Sequence, residues 1–148
     1  MTRSYNDKDP FNLARFVSAQ EDTFERAFDE VKKGRKTSHW MWFIFPQLRG
    51  LGYSPTSHYY GITGIEEARA YLNHEILGPR LIAICEALLS VEGRSASEIF
   101  GYPDDMKLRS SATLFAQVSN AGSVFHRILD RFFDGKPDLK TLQLLEKN

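Results

Sequence analysis

Apolar residues recur along most of the chain at the spacing of an amphipathic helix. In the clearest stretch, residues 21–33, the positions i, i+3, i+4 and i+7 are all apolar. They are Phe24, Ala27, Phe28 and Val31. Gly34 follows directly, in the place where glycine commonly ends a helix. The pattern predicts a helix here and indicates a mainly α-helical protein.

Similar spacing, together with capping residues, predicts most other elements as helices. These lie at residues 10–17, 63–71, 77–92, 103–115, 124–134 and 138–145, with a single helical turn at 95–100. Asp9-Pro10 has the pattern of an N-cap followed by proline, and Asp138 that of the N-cap of the last helix. Thr63 and Glu66 have the spacing of a capping box. Residues 48–58, which are rich in glycine and serine, are predicted to be a loop.

Residues 40–45 form an uninterrupted apolar run. The lack of alternation predicts burial on all sides, but it does not separate a strand from a buried helix. A short buried helix is the favoured interpretation, with Thr37 or Ser38 as its cap and Pro46 at its end.

These elements together predict an irregular all-α array of about seven or eight helices. A chain of 148 residues has the length of one ordinary domain and buries enough surface to fold without disulfides or metal. We therefore expect a single compact domain at residues 9–148, after a flexible tail at residues 1–8. The sequence has no internal repeat and no composition break that would indicate a second domain.

Charge and composition exclude several classes of function. Lys and Arg total 19, as do Asp and Glu, and this balance argues against a general nucleic-acid-binding protein. Cys85 is the single cysteine, which rules out an internal disulfide, and its apolar neighbours predict a buried thiol. The sequence has no apolar stretch of membrane-spanning length and no signal-peptide core, so a cytoplasmic protein is expected. The histidines lack metal-ligand spacing and no cofactor motif occurs, so neither a metal nor a cofactor is expected.

The segment 35–47 is the first candidate for chemistry. Arg35 and Lys36 end a basic run and are followed at once by Ser38, His39 and two tryptophans. Basic side chains beside a helix N-terminus would bind an anion, and a tryptophan could stack on a base or sugar. The alternative is a solvated helix end beside two core tryptophans.

The second candidate is the segment 103–113, which contains two acids, two cations and three hydroxyl residues. Either acid would cap a helix, and the other would pair with Lys107 or Arg109. Three hydroxyl residues within four positions depress helix propensity, which suggests that some of them face a cleft. Asp105 could then act as a general acid or base. Capping and packing alone remain the alternative.

The third candidate is the glycine-containing segment 50–61. Glycine permits close backbone approach, which suits a phosphate-cradling loop as well as an ordinary turn. The spacing matches neither the dinucleotide fingerprint nor a P-loop, so an ordinary turn is the favoured interpretation.

Five sequence blocks resemble one bacterial family, the domain-of-unknown-function family numbered 1810, which automatic annotation sometimes labels calpastatin. The blocks are DPFNLARFVSAQ (9–20), GRKTSHWMWFIFPQLRGLG (34–52), SHYYGI (57–62), ARAYLNHEILGPRL (68–81) and IFGYPDDMKLRSSATLFA (99–116). The resemblance implies a small, stand-alone, mainly α-helical bacterial protein. It implies no activity and therefore transfers no catalytic residue.

The favoured hypothesis is a pocket for a small anionic ligand of the phosphate or nucleotide type, with an ADP-ribose-like ligand as one candidate and hydrolysis as a further option. The ligand-binding candidates are Arg35, Lys36, Ser38, Trp40, Trp42, Gln47, Ser57, Tyr60, Lys107, Arg109 and Ser110, and the proton-transfer candidates are His39 and Asp105. The hypothesis requires segments 35–47 and 104–113 to meet in space. The alternatives are a non-catalytic protein-interaction module, which would expose an apolar or aromatic patch, and a weaker RNA-binding interpretation of residues 32–42.

Overall fold

Helices make up the regular structure of the chain. The computed structural model describes residues 8–147, so all but Lys8 of the predicted flexible tail lies outside the described residues. The helices are α1 (Ala14–Gln20), α2 (Phe24–Lys32), α3 (Met41–Ile44), α4 (Pro55–Tyr59), α5 (Ile65–Asn73), α6 (Leu77–Leu89), α7 (Ala96–Phe100), α8 (Asp104–Ala116), α9 (Val124–Phe133) and α10 (Leu139–Glu146). The all-α prediction is confirmed, but ten helices in residues 8–147 exceed the predicted seven or eight.

One additional helix is α4, which lies where a loop was predicted. The hydroxyl of Ser54 accepts the backbone N–H of Ser57 at 3.1 Å, and Pro55 occupies the first helical position. The loop prediction for residues 48–58 is therefore wrong in its second half. Serine followed by proline is itself a helix-start signal, and the neighbouring glycines concealed it.

The opposite error occurs at Asp9-Pro10, where helix α1 begins four residues later than predicted. The Asp9 carboxylate accepts the backbone N–H groups of Leu13 at 2.7 Å and Ala14 at 3.0 Å. It therefore caps the helix from a distance, across an intervening turn.

The apolar run at residues 40–45 contains the short helix α3, as favoured from the sequence. Its predicted caps are wrong, because Trp40 occupies the N-cap position and no side chain caps the helix. The hydroxyl of Ser38 instead donates to Glu30 at 2.6 Å. The indole N–H of Trp40 donates to the same carboxylate at 2.9 Å.

Two helices, α6 and α8, form the centre of the molecule. Helix α8 packs against α5, α7, α9 and α10, while α6 packs against α2, α5 and α9. Residues 110–116 of α8 are all buried, so the C-terminal half of this helix is enclosed on every side. Its small hydroxyl residues let the neighbouring helices approach closely. The Thr113 hydroxyl donates to the Arg109 carbonyl and accepts the Asp138 N–H, both at 2.8 Å.

Aromatic side chains fill the core around these helices. Tyr71 is fully buried between Phe16 and Phe115, with ring centroids 5.1 and 5.3 Å away. Burial raises the pKa of Tyr71, and its hydroxyl accepts a hydrogen bond from Gln20 at 3.0 Å. Cys85 is buried, as predicted, and burial raises the pKa of its thiol.

A buried ion pair and one backbone bridge hold the segment 49–61. Arg15 and Glu67 pair at 2.8 Å with side chains 5% and 1% exposed. The Arg15 guanidinium also donates to the Tyr59 carbonyl at 2.8 Å and the Gly61 carbonyl at 3.1 Å. An isolated parallel bridge joins Leu48 to Ile62. The segment therefore starts and ends at fixed points of the core.

Candidate functional site

A cleft of about 400 Å³ lies between the loop before α4, helix α8 and the start of α10. Five side chains named from the sequence line it, and they come from all three candidate segments of the chain. They are Trp42, Gln47, Ser57, Lys107 and Ser110. We call this site the α4–α8 cleft. Tyr53, Asp138 and Lys140, which were not among the ligand-binding candidates named from the sequence, also line it.

The two segments that the hypothesis required to meet do meet, through a shared carboxylate. Asp104 pairs with Lys36 at 2.8 Å and with Lys107 at 3.4 Å. The Lys36 side chain is only 7% exposed, and its ammonium also donates to the Ser38 carbonyl at 2.6 Å. Because Asp104 neutralises the buried Lys36, the three groups together bring one net positive charge to the cleft through Lys107.

The aromatic wall of the α4–α8 cleft is Trp42. The Lys107 ammonium lies 4.9 Å from the centroid of its ring, within the range of a cation–π contact. Tyr53 is 92% exposed and lines the same cleft, so a flat ligand could contact its ring without displacing core residues. The cleft thus combines an ammonium group with accessible aromatic surface.

At the α10 end of the cleft, the carboxylate of Asp138 is occupied by the protein itself. It accepts the backbone N–H of Thr141 at 3.0 Å, the Thr141 hydroxyl at 2.5 Å and the Ser110 hydroxyl at 3.2 Å. This confirms Asp138 as the N-cap of the last helix. Lys140 lines the cleft next to it, so two lysines and one engaged carboxylate set its charge.

The loop wall of the cleft depends on Gly52. A Cβ atom at this position would lie 2.7 Å from the hydroxyl oxygen of Ser57, closer than real side-chain contacts allow. The absence of a side chain at Gly52 therefore lets Ser57 approach the loop and face the cleft. The close backbone approach expected of this glycine is present, and it serves Ser57.

Several predicted ligand-binding residues do not line the cleft. Trp40 is fully buried and has no surface on which a ligand could stack. Lys36 lies behind the cleft, and Ser38 is engaged by Glu30. Tyr60 packs against Phe43 at 5.3 Å, and burial raises the pKa of its hydroxyl.

The remaining predicted residues also lie elsewhere. Arg109 donates to the Lys136 carbonyl at 2.9 Å, and Arg35 lines a different depression. His39 is exposed and outside the cleft lining. Asp105 accepts the N–H of Met106 at 2.8 Å in the first turn of α8 and does not line the cleft. The two proton-transfer candidates are therefore not part of this site.

Glu30 is a structurally important residue that sequence reasoning missed. Burial would raise the pKa of its carboxylate, but hydrogen bonds from Ser38, Thr37 and Trp40 outweigh it and hold the pKa at about 2. These partners lie seven to ten residues further along the chain, so no helical spacing signals them. Through these bonds one carboxylate holds both Ser38 and Trp40.

Across residues 8–147, no three His, Cys, Asp or Glu side chains lie close enough to hold a metal ion. None of the described helices is long and apolar enough to cross a membrane.

Comparison with known proteins places the chain in a family. Residues 10–145 match the family described as "Protein of unknown function (DUF1810)". The crystal structure of the conserved hypothetical protein Rv1873 from Mycobacterium tuberculosis superimposes with a TM-score of 0.91 at 51% sequence identity, covering 93% of this chain and 99% of that chain. No curated protein matches the chain. The resemblance carried by the sequence blocks is therefore confirmed, and the chain belongs to the DUF1810 family.

Proposed function

We propose that the chain binds a small anionic ligand with a flat ring, of the nucleotide or sugar-phosphate type, in the α4–α8 cleft. The phosphate would contact Lys107 and Lys140, and the ring would lie against Trp42 or Tyr53. Gln47 and Ser57 would orient polar groups of the ligand.

The observation that carries the proposal is the position of Lys107 beside Trp42. A nucleotide needs a cation for its phosphate and an aromatic surface for its base, and here the two lie 4.9 Å apart in a cleft of about 400 Å³. That volume lies within the usual range for small-molecule sites. Asp104 offsets the charge of Lys107 only in part, because the carboxylate lies closer to Lys36.

The groups that line the α4–α8 cleft support binding of the ligand and not its hydrolysis. His39 and Asp105, the proton-transfer candidates, do not line the cleft. Among the described residues that do, the single carboxylate is Asp138, which already accepts three hydrogen bonds. Binding therefore rests on the groups that the cleft presents, whereas catalysis would need others.

A thermal-shift screen against AMP, ADP, ADP-ribose, glucose 6-phosphate and inorganic phosphate tests the proposal. A ligand at 100 times its Kd should add about 2.7 kcal/mol to the free energy of unfolding, which is readily seen as a higher Tm. For a hit, calorimetry should show that Lys107→Gln weakens binding about tenfold or more, since it removes a charge-assisted contact.

Lys32→Gln is the matched control, because Lys32 is exposed on α2 and away from the cleft. Its affinity should equal that of the wild type. A hit that Lys107→Gln and Trp42→Phe both bind at full affinity would place the ligand elsewhere and refute the proposal, as would a flat screen.

Exposed side chains support a second candidate function, a protein-interaction face on the side of the molecule that carries the α4–α8 cleft. Tyr53 and Met106 line the cleft and are 92% and 40% exposed, and Leu139, between two lining residues, is 67% exposed. Light scattering over a range of protein concentrations separates the candidates. A concentration-dependent dimer that Tyr53→Ser abolishes would favour the interaction face, whereas a monomer that binds a nucleotide favours the cleft.

A further inference from the structure

A second depression, of about 600 Å³, lies beside the C-terminal half of α2 and concentrates basic side chains. It is lined by Arg26, Lys33, Arg35 and Arg94, with Asp29 and Glu30 as its acidic residues. We call it the basic groove. We propose that the basic groove binds a chain of two or more phosphate groups, at a site separate from the α4–α8 cleft.

The two acidic residues of the basic groove are engaged by groups other than its arginines. Asp29 pairs with Lys33 at 3.0 Å. Both oxygens of Glu30 accept hydrogen bonds from the segment 37–40, at 2.6 to 3.1 Å. Within residues 8–147, no carboxylate pairs with Arg26, Arg35 or Arg94, so three guanidinium groups remain available to an anion from outside.

The turn between α2 and α3 helps to shape the groove. Gly34 has a φ of +78°, and a Cβ there would lie 3.1 Å from both the Arg94 side chain and Val91. The aliphatic part of Arg94 therefore lies against this turn. The backbone N–H of Arg35 donates to the Glu30 carbonyl at 3.0 Å, which ties Arg35 to the end of α2. Arg35 and Arg94, which are distant in the sequence, are thus both held at the same turn.

The chemistry of the lining suits an anion with several oxygens, such as a phosphate chain, and does not suit a base. Guanidinium groups are planar forks that match pairs of phosphate oxygens, and four positive against two negative side chains leave the groove cationic. A single phosphate would have to share its oxygens among three arginines, whereas a diphosphate or triphosphate offers separate oxygens to each of them. Unlike the α4–α8 cleft, the groove has no aromatic side chain among its lining residues. It therefore recognises the phosphate chain itself.

Isothermal titration of the full chain with inorganic tripolyphosphate at low ionic strength tests the proposal. The double variant Arg35→Gln/Arg94→Gln should bind at least about tenfold more weakly, because each substitution removes a charge-assisted hydrogen bond. Arg26→Gln, on the exposed surface of α2 and away from the turn, should also weaken binding. It keeps the test valid if the double variant folds poorly.

Arg49→Gln is the matched control, since Arg49 is an exposed arginine that lines a different depression. It should bind tripolyphosphate as the wild type does. Asp29→Asn should tighten binding by roughly two- to fivefold, because it releases Lys33 from a surface ion pair. A damaged fold cannot produce that gain.

Three results would overturn the proposal. They are the absence of heat with the wild type, an equal loss in Arg49→Gln, and a loss in Lys107→Gln as large as in the double variant. The last result would assign phosphate binding to the cleft and leave the nucleotide proposal standing. If ATP bound to the cleft and tripolyphosphate bound nowhere, the proposal for the basic groove would be refuted and the nucleotide proposal would remain.

Discussion

Both carboxylate oxygens of Glu30 are engaged by donors from the segment between α2 and α3. Oε1 accepts the N–H groups of Thr37 and Ser38 and the indole N–H of Trp40, and Oε2 accepts the Ser38 hydroxyl. These bonds favour the charged form so strongly that the pKa is about 2, against an ordinary value of 4.5. Thr37 and Ser38, which the sequence predicted as caps of α3, are thus bound to Glu30 instead.

Glu30→Gln should lower the free energy of unfolding by about 3 kcal/mol at pH 7, which is the free-energy equivalent of the pKa shift. Between pH 4.5 and pH 2 the unfolded chain binds this proton and the native protein does not. The contribution of Glu30 is therefore complete above about pH 5 and is lost as the pH falls towards 2. Urea denaturation of wild type and variant at several pH values measures it.

Glu25→Gln provides the matched control, because Glu25 lies on the same helix but is exposed. It should change stability by less than about 0.5 kcal/mol. A wild-type minus Glu30→Gln difference that stays constant from pH 7 to pH 2 would contradict the assignment.

Arg15 uses all five of its N–H donors within the protein. Besides Glu67, Tyr59 and Gly61, it donates to the carbonyl groups of Phe11 and Asn12 at 2.7 and 2.8 Å. Arg15→Lys keeps the charge but offers three donors on one nitrogen, so buried carbonyl groups lose their partners. We expect the free energy of unfolding to fall by about 2–4 kcal/mol in chemical denaturation.

Arg69→Lys is the comparison for this change, since Arg69 makes an exposed i,i+3 pair with Glu66 at 3.2 Å. Its stability should stay within about 0.5 kcal/mol of the wild type. Equal effects of the two substitutions would show that the Arg15 network does not stabilise the fold.

At the scale of elements, the long helices were predictable, and so were the short helices α3 and α7, whereas the start of α1 and the presence of α4 were predicted wrongly. The predicted helix at 21–33 corresponds to α2, because four apolar residues at helical spacing must share one buried face. For α1 and α4 the same cap-plus-proline signal gave opposite outcomes, since the turn after Pro10 delays one helix and Ser54 starts the other directly. A capping residue can be recognised in the sequence, but the residue at which the helix begins depends on tertiary packing.

The hydroxyl residues of helix α8 could be interpreted from the sequence either as cleft-facing or as packing residues. They depress helix propensity, which indicated a functional cleft, yet Ser111 and Thr113 are buried at the centre of the molecule. There small side chains allow several helices to pack around one. Ser110 alone of the three lines the cleft, and its hydroxyl bonds to Asp138.

Thr113→Val tests the connection between α8 and α10. Valine fills the same volume but cannot accept the N–H of Asp138, which lies 2.8 Å from the threonine hydroxyl. An unsatisfied N–H costs about 1–3 kcal/mol, so the variant should lose that much stability, and the Asp138 amide should exchange faster with solvent. Hydrogen exchange and urea denaturation measure the two effects.

Thr56→Val, at an exposed position of α4, is the control for the change of side chain. It should leave both the stability and the Asp138 amide unaffected. Unchanged exchange at Asp138 in Thr113→Val would mean that the hydroxyl does not support the start of α10.

At the scale of the whole molecule, Asp104 ties the segment after α2 to helix α8. Asp104→Asn would leave the buried ammonium of Lys36 without its carboxylate, and we expect a loss of about 2 kcal/mol in the free energy of unfolding. The same change frees Lys107 from its ion pair, so an anionic ligand of the α4–α8 cleft should bind several-fold more tightly. In this one variant, denaturation should thus show a lower stability, while calorimetry should show a higher ligand affinity.

Asp105→Asn is the natural control, because the neighbouring carboxylate forms no ion pair among the described residues and does not line the cleft. It should leave ligand affinity unchanged. A weaker ligand affinity in Asp104→Asn would show that the shared carboxylate helps to build the cleft rather than to compete with the ligand.

The candidate site was only partly predictable, for a reason that applies to the molecule as a whole. Trp42 and Lys107 were named because residue type and local context suggested stacking and anion binding. Their proximity depends on the packing of segments more than 60 positions apart, which no local pattern records. Lys140 was missed because it lies singly among ordinary surface residues, and Tyr53 was missed because segment 50–61 was interpreted as an ordinary turn. Conversely, Arg35 was named for the same pocket but lies in the basic groove.

The bridge between Leu48 and Ile62 has a consequence for how this protein can change. It closes the segment 49–61 at its neck, so the ends of the segment stay in place whatever lies between them. Lengthening a loop with fixed ends costs only about 0.6 kcal/mol of closure entropy per doubling. Residues 50–57 supply one wall of the cleft and contribute little to the core. Insertions and substitutions there can therefore retune which ligand is accepted, in evolution or by design, while the helices around α8 keep their arrangement.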